Sequence, residues 1–218
     1  MVIIIGGMIG IGKTTTAKML HEELGLPVYY ESVEGNKVLS LFYTASETDS
    51  NKYRYPFLLQ LSFLQSRFHV IKSALKNDNA ILDRSIYEDH FFAKKNHDLG
   101  KISDIEMEQY EGLLEQMMVE IRSLPKKTPD VMVYLRGSFE TVLTRIQSRG
   151  RSFELDQSLV DYYHFLWKDY DQWVHDSYRE SPIIEINVDE KNIVYNDIDK
   201  KWLLDALKDI EERGNAKK

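Results

Sequence analysis

A glycine-rich stretch near the N-terminus ends in a lysine and three threonines. Residues 3–18 read IIIGGMIGIGKTTTAK, which contains the phosphate-loop pattern G-x-x-x-x-G-K-[ST] directly after an apolar run. Glycines let successive backbone N–H groups turn inward, and the lysine adds charge for the β- and γ-phosphates. A glycine-rich turn with an exposed lysine is the alternative. The pattern predicts a nucleoside triphosphate on Gly7, Met8, Ile9, Gly10, Ile11, Gly12, Lys13, Thr14 and Thr15.

Acidic and basic residues follow two further apolar runs. YYESVEGN puts Glu31 at the end of one predicted strand, and LDRSIYED puts Asp83, Arg84 and Asp89 at the end of another. Open α/β sheets bind ligands at the carboxyl ends of their strands, so the phosphate acceptor is expected there. Asp83 is predicted to bind Mg²⁺, directly or through water, together with the Thr14 hydroxyl, or else to orient Arg84.

Gln60 and Arg67 form a polar pair on a mostly apolar helical segment. They are seven residues apart, so they lie about 20° apart around a helix axis. Buried polar groups cost free energy unless they have partners, and the pair therefore indicates an internal pocket. A solvated helix face is the alternative.

Three arginines occur in the stretch RIQSRGR. Arg145 and Arg149 share one helix face, and Arg151 follows Gly150. Such a segment can fold over phosphates and exclude water that would hydrolyse ATP. A solvated basic helix end is the alternative.

Five apolar segments without strict alternation predict buried parallel strands. Helical spacing of apolar residues between them predicts an α/β fold with a central parallel sheet. The predicted strands are Val2–Ile5, Pro27–Ser32, Ala80–Ser85, Asp130–Arg136 and Pro182–Asp189, and the helical segments include 14–24, 61–75, 110–121, 142–146, 159–173 and 203–210.

Length and composition narrow the class of protein. The 218 residues predict a single domain, 1–218, and the absence of cysteine gives no sign of an oxidising compartment. We expect a cytoplasmic protein without membrane association, since no apolar run approaches a membrane span and no secretory signal is seen. The formal net charge of -7 argues against binding a nucleic-acid polymer, and the six histidines lack the grouping of a zinc site.

Five motifs together carry a family resemblance. GGMIGIGKTT, YYESVEGN, FLLQLSFLQSRF, LDRSIYEDHFFA and TRIQSRGRSFE resemble the deoxyribonucleoside kinases, most of all the bacterial deoxyadenosine and deoxyguanosine kinases. The resemblance runs from Val2 to about Trp173. It implies a P-loop kinase fold with strand order 2-3-1-4-5, a flexible lid at about 145–155, ATP with Mg²⁺ as the phosphate donor, and a homodimer.

The resemblance also implies roles for individual residues. Glu31 would be the general base for the nucleoside 5′-hydroxyl, with Arg84 beside it and Lys13 on the phosphates. The substrate residues would further include Tyr43 and Glu154 at the sugar 3′-hydroxyl, and Gln60, Asp89 and Arg67 at the base. Arg145, Arg149 and Arg151 would contact ATP from the lid. We also expect the loop Asp189–Tyr195 to contact the ATP adenine.

The aromatic residues allow two interpretations. Phe91 and Phe92 are either core or the wall of a base pocket. The row of Tyr162, Tyr163, Phe165, Trp167, Tyr170 and Trp173 has helical spacing, which favours helix packing over a stacking platform for bases.

We therefore expect an ATP-dependent kinase for a deoxyribonucleoside, with deoxyadenosine or deoxyguanosine preferred, deoxycytidine next and thymidine last. A nucleoside monophosphate kinase is the alternative, but it needs extra cations for the acceptor phosphate where YYESVEGN offers carboxylates. A regulatory nucleotide-binding protein is a further alternative. The guanine-reading pattern N-K-x-D of GTPases does not occur.

Overall fold

Five parallel strands form one sheet in a computed structural model that describes residues 1–31, 35–151, 154, 156 and 159–216. Their order is β2-β3-β1-β4-β5, and every neighbouring pair is parallel. The α/β class and the predicted strand order are therefore confirmed. The strands are β1 Val2–Gly7, β2 Val28–Tyr29, β3 Ala80–Asp83, β4 Val131–Arg136 and β5 Ile183–Asn187.

Helices connect the strands. A short 3₁₀ turn at Ile86–Glu88 follows β3, and all the predicted helical stripes lie inside helices. The helices of the described residues are α1 Lys13–Leu24, α2 Lys37–Thr44, α3 Glu47–Tyr53, α4 Tyr55–Asn77, α5 Asp89–Asp98, α6 Asp104–Arg122, α7 Phe139–Arg149, α8 Leu159–Ser177 and α9 Asp197–Asn215.

Three strands end earlier than the sequence predicts: β5 stops at Asn187, two residues short, and the endings of β2 and β3 shape the same edge of the sheet. Strand β2 stops at Tyr29 because Tyr30 and Glu31 leave the sheet to line a cavity, while Ser32 lies outside the described residues. Strand β3 stops at Asp83 because Arg84 adopts a left-handed backbone with φ of 71°, which no strand can continue. As a result, the side chains of Glu31 and Arg84 lie beyond the ends of these strands, in the wall of the cavity.

The core lies on both faces of the sheet. Every residue of β1 is buried, as are the apolar residues of β3 and most of β4. This burial on two sides explains why these strands are apolar runs without alternation. Among the described residues, no helix is both long and apolar enough to cross a bilayer.

Candidate active site

A cavity of about 680 Å³ opens at the carboxyl ends of β1, β2 and β3. It brings together most of the residues that the sequence predicts for phosphates, acceptor and lid. The predicted residues that line it are Ile9, Gly10, Gly12, Lys13, Thr14, Thr15, Glu31, Tyr43, Gln60, Arg67, Asp83, Arg84, Arg149, Arg151 and Glu154. Gly7, Met8, Ile11, Asp89 and Arg145 are not part of its lining.

The phosphate loop connects the end of β1 to the start of α1. Three of its glycines have positive φ, at 141° for Gly7, 81° for Gly10 and 108° for Gly12. A Cβ at Gly7 would lie 2.5 Å from the Leu135 carbonyl oxygen, and one at Gly10 would lie 2.5 Å from Ile146 Cγ1. Glycine is therefore required both for the turn and for close packing against the neighbouring elements.

Lys13 begins α1 and is buried in the floor of the cavity. Its Nζ donates to the Met8 carbonyl oxygen at 2.8 Å, so the exposed-lysine alternative is wrong. Burial, reinforced by the positive charge of Arg84, lowers the pKa of Lys13 to about 7. An anionic ligand placed against this ammonium would favour its charged form.

Thr14 and Asp83 form a pair beside the lysine. The Thr14 hydroxyl donates to Asp83 Oδ2 at 2.5 Å, while Asp83 Oδ1 is buried and has no hydrogen-bond partner among the described residues. Burial raises the pKa of Asp83. No hydrogen bond or ion pair joins Asp83 to Arg84, whose own contacts go to Gly7, Glu31 and Glu88. Asp83 therefore acts on Arg84 through its charge alone, and its role in orienting Arg84 stays a prediction.

Glu31 lies between two buried arginines. It forms an ion pair with Arg67, and its Oε1 is 3.5 Å from Arg84 Nε. Burial acts to raise the pKa of Glu31, but the guanidinium charges of Arg67 and Arg84 outweigh it and bring this pKa to about 2. The carboxylate is consequently ionised at neutral pH, in the state a proton acceptor needs.

The polar pair on α4 faces the cavity. Gln60 and Arg67 are only 4% and 8% exposed, so the solvated-face alternative is wrong. Arg67 also pairs with Asp89, which is buried and outside the cavity lining. Within the described residues the Gln60 side chain has no hydrogen bond, which leaves its amide to a ligand.

The lid arginines are engaged with the protein. Arg145 donates to the Ile11 carbonyl oxygen of the phosphate loop, which contradicts a merely solvated helix end for this residue. Arg149 and Arg151 both pair with Glu154, the latter at 3.3 Å. The predicted partner of Glu154, Tyr43, lines the same cavity. Burial raises the pKa of Tyr43 well above its ordinary value, and the charges of nearby groups including Glu154 act in the same direction.

The structure also answers the two aromatic alternatives. Phe91 and Phe92 both belong to the core, and Phe92 additionally lines the cavity, with the Arg84 guanidinium 4.7 Å from its ring centroid. Tyr163 and Tyr170 are buried as helix packing predicts, whereas Tyr162 also lines the cavity.

One buried carboxylate near the site has no place in the sequence predictions. Glu88 is completely buried and accepts hydrogen bonds from Gly7 N and Arg84. The stretch Ser85–Glu88 has the S-x-x-E spacing of a capping box, which is the sequence signal that could have drawn attention to it. Apolar residues of the cavity wall such as Leu39, Phe42, Leu59 and Phe63 carry no comparable signal.

Comparison with known proteins gives a consistent result. The family model described as deoxynucleoside kinase matches residues 3–211. Over 211 residues the chain is 41% identical to a deoxyguanosine kinase of Lactobacillus acidophilus, covering 95% of this chain and 90% of that protein. Over 215 residues it is 40% identical to a deoxyadenosine kinase of the same organism, covering 97% and 95%.

A solved structure agrees with this result. The deoxyadenosine kinase from M. mycoides with bound dATP superimposes with a TM-score of 0.79 at 27% identity, covering 95% of this chain and all of that one.

Proposed function

Because the chain belongs to the deoxynucleoside kinase family, we propose that its cavity transfers the γ-phosphoryl group of ATP to the 5′-hydroxyl of a purine deoxyribonucleoside. One observation carries the proposal. Glu31, an ionised carboxylate, lines the same cavity as the phosphate-loop residues Lys13 and Thr14, and the Lys13 charge acts on it. An acceptor hydroxyl and a donor phosphate can thus be held in one cavity.

In this mechanism Glu31 accepts the proton of the 5′-hydroxyl as that oxygen attacks the γ-phosphorus. Lys13 and the loop N–H groups hold the β- and γ-phosphates, and Arg84 stabilises the charge that develops during transfer. The protein mainly positions its two substrates. The leaving group is ADP, and the product is the nucleoside 5′-monophosphate.

Thr14 and Asp83 would hold Mg²⁺ with the phosphates. The support is the buried Asp83 Oδ1 beside the Thr14 hydroxyl, since this oxygen has no partner in the part of the chain that the structure describes. The described residues contain no cluster of three or more His, Asp, Glu or Cys side chains, so nucleotide phosphates and water would have to complete the coordination. When bound, the metal neutralises charge on the phosphates.

The nucleoside would lie between α4 and the lid. In this proposal Tyr43 and Glu154 bind the 3′-hydroxyl, and Gln60 and Asp89 read the base edge with Arg67 beside them. The ion pair between Asp89 and Arg67 would also hold Arg67 in place. The lid spans about 145–155. When it closes, Arg149 and Arg151 leave their ion pairs with Glu154 and bind the ATP phosphates. The hydroxyl and the phosphates then react without bulk water.

The base preference rests on hydrogen-bonding chemistry. The Gln60 amide offers a donor and an acceptor, and Arg67 offers donors only. A purine edge with an amine, ring nitrogens or O6 can satisfy these groups, and cytosine nearly as well. The preference against thymine rests on Asp89: if its carboxylate meets the base edge, as the family resemblance implies, the 4-carbonyl of thymine would face an acceptor, and a mismatched buried hydrogen bond strongly disfavours a substrate. Deoxyadenosine and deoxyguanosine remain equal candidates.

The proposal also includes the oligomeric state of the protein and its location in the cell. A homodimer is supported by large apolar side chains that stay exposed on the neighbouring helices α4 and α6, among them Leu58, Leu113 and Val119. Sedimentation of the purified chain should give a dimer mass. A cytoplasmic location is proposed as well, since the cysteine-free sequence gives no sign of an oxidising compartment.

A competition assay tests the substrate preference. All four deoxynucleosides are supplied together with ATP and Mg²⁺, and each monophosphate is quantified. We expect deoxyadenosine or deoxyguanosine first and thymidine last, and Asp89→Ala should flatten the order because Arg67 loses its fixed orientation. The highest kcat/KM for thymidine would refute the order and the role of Asp89.

A further inference from the structure

Glu88 is a carboxylate with no exposure to solvent at the rear of the phosphate loop. It closes the 3₁₀ turn after β3 and directly precedes α5. Burying an unpaired carboxylate is costly, so its surroundings should explain why the charge is kept there.

Four donors from three parts of the chain converge on this one side chain. Oε1 accepts from Gly7 N at 3.1 Å, from Arg84 Nη1 at 3.4 Å and from the Tyr170 hydroxyl on α8. Oε2 accepts from Ser85 N at 3.4 Å. The carboxylate therefore joins the start of the phosphate loop, the end of β3 and α8.

The same arrangement fixes both peptide groups of Gly7. Its N–H donates to Glu88, and its carbonyl oxygen accepts from Arg84 Nη2 at 3.0 Å. Gly7 has a φ of 141°, outside the regions that other residues favour. Glu88 and Arg84 thus hold the first glycine of the phosphate loop from two sides.

The arrangement also directs Arg84 toward the reacting groups. With Nη1 on Glu88 and Nη2 on Gly7, the guanidinium presents Nε to Glu31 at 3.5 Å. Arg84 itself has a left-handed backbone, with φ of 71°, which has to be stabilised by its contacts. Without the negative charge of Glu88, Arg84 would keep Glu31 as its main charged partner.

We infer that Glu88 is a positioning residue for phosphoryl transfer, which sets the orientation of Arg84 relative to Glu31 and fixes the first turn of the phosphate loop. Its charge acts on the reaction through Arg84, whereas its bond to Gly7 N needs only an oxygen acceptor, which glutamine keeps. Glu88 touches neither substrate. The inference rests on the role proposed for Arg84 in the reaction.

The experiment combines Glu88→Gln, Arg84→Ala and the double variant in steady-state assays with ATP and deoxyadenosine or deoxyguanosine, whichever the wild type prefers. Displacing a positioned group can cost roughly 10- to 100-fold in rate, so Glu88→Gln should lower kcat by that factor. The Kd of the nucleoside, measured by calorimetry, should change less. In the Arg84→Ala background, Glu88→Gln should cost almost nothing more, because the two residues act as a unit.

Two further variants separate positioning from mere stability. Glu106 is a matched control, since it is also a carboxylate paired with an arginine, Arg54, and bonded to Ser103 N at 2.8 Å, but it lies outside the cavity lining. Glu106→Gln should lower Tm and leave kcat unchanged. Tyr170→Phe removes one donor to Glu88 but keeps the Glu88–Arg84 charge pair, and it should lower kcat in the same direction as Glu88→Gln, by a smaller factor.

The outcomes distinguish a failure of this inference from a failure of the role proposed for Arg84 in phosphoryl transfer. Normal kcat in Arg84→Ala would overturn the role of Arg84 and this inference with it. A large effect of Arg84→Ala with normal kcat in Glu88→Gln, or additive losses in the double variant, would overturn the inference alone. If Glu88→Gln does not fold, Tyr170→Phe decides, and an unchanged kcat there overturns the inference.

Discussion

The chemistry of individual residues in this kinase depends on how buried charges are paired. Burial alone would raise the pKa of Glu31. The charges of Arg67 and Arg84 outweigh this effect, lower the pKa to about 2 and keep the carboxylate ionised. The same pairing makes it a weak proton acceptor in the free protein. Binding of the nucleoside base to Arg67 would weaken the Arg67–Glu31 pair and make Glu31 more basic when it is needed.

Replacing Glu31 by glutamine tests the general base. A positioned base contributes roughly 100- to 10,000-fold to the rate, so Glu31→Gln should lower kcat by that order while nucleoside binding measured by calorimetry persists. Glu120→Gln, which removes an exposed carboxylate paired with Lys72, serves as the control and should behave like the wild type. A near-normal kcat in Glu31→Gln would show that another group takes the proton.

Lys13 predicts a pH effect on nucleotide binding. Its pKa of about 7 in the free protein means that at pH 8 most Lys13 is neutral, whereas bound phosphates favour the ammonium and raise this pKa. Nucleotide binding at pH 8 should therefore take up protons, and affinity should fall as pH rises above 7. Calorimetry of ADP binding in buffers with different ionisation enthalpies measures the uptake.

Lys13→Arg is the control for this effect, because arginine keeps the charge and does not titrate in this range. Proton uptake should disappear in that variant. Proton release, or no exchange at all, in the wild type would contradict the assignment of Lys13 as the titrating phosphate contact.

At the scale of elements, the phosphate loop packs closely against α7 at Gly10. A Cβ at Gly10 would lie 2.5 Å from Ile146 Cγ1 and 3.1 Å from the Val142 carbonyl oxygen, and the φ of 81° is unfavourable for alanine. Gly10→Ala should therefore raise the KM for ATP and lower the free energy of unfolding by about 1–3 kcal/mol. Steady-state kinetics and urea denaturation measure the two effects.

Gly112→Ala is the matched control, because outside its own stretch of α6 no atom of the described residues lies within 4 Å of a Cβ placed at this position. It should leave the KM for ATP unchanged and slightly stabilise the helix. If both alanine variants bind ATP equally well, the fit between loop and α7 does not control nucleotide binding.

The lid arginines should act mainly on turnover. Arg149 pairs with Glu154 in the present structure, and its proposed partners during transfer are the ATP phosphates. Arg149→Ala should consequently depress kcat more than it weakens nucleoside binding, since its charge matters most in the transition state. Arg122→Ala, an exposed arginine on α6, is the control. A loss of nucleoside affinity without a change in kcat would contradict the role proposed for Arg149 in the lid.

Sequence reasoning recovered the elements whose signal is local. Mostly apolar segments without strict alternation predicted the five strands. The glycine and lysine spacing predicted a loop that the structure shows with positive φ at Gly7, Gly10 and Gly12. The length of β2 could not be predicted, because it ends where Tyr30 and Glu31 turn toward a cavity built by distant elements. Partners such as Glu88 with Tyr170 are separated by 82 residues, so only the fold reveals them.

At the scale of the whole molecule, fold and family agree on the reaction, and the base remains to be measured. The chain is 41% identical to a deoxyguanosine kinase and 40% identical to a deoxyadenosine kinase, so overall similarity does not separate the two substrates. On the proposed assignment of the site, the difference would lie in a few groups around Gln60 and Arg67. These are the residues to exchange if one purine proves dominant.

The most direct measurement compares acceptors in one assay. Initial rates of ADP release from ATP and Mg²⁺ are recorded with each deoxynucleoside and, separately, with each nucleoside monophosphate, and the products are identified by mass. The account predicts that a purine deoxynucleoside stimulates ADP release most and is converted to its 5′-monophosphate, while monophosphates stimulate little. Faster ADP release with a monophosphate, or no stimulation by any deoxynucleoside, would contradict it.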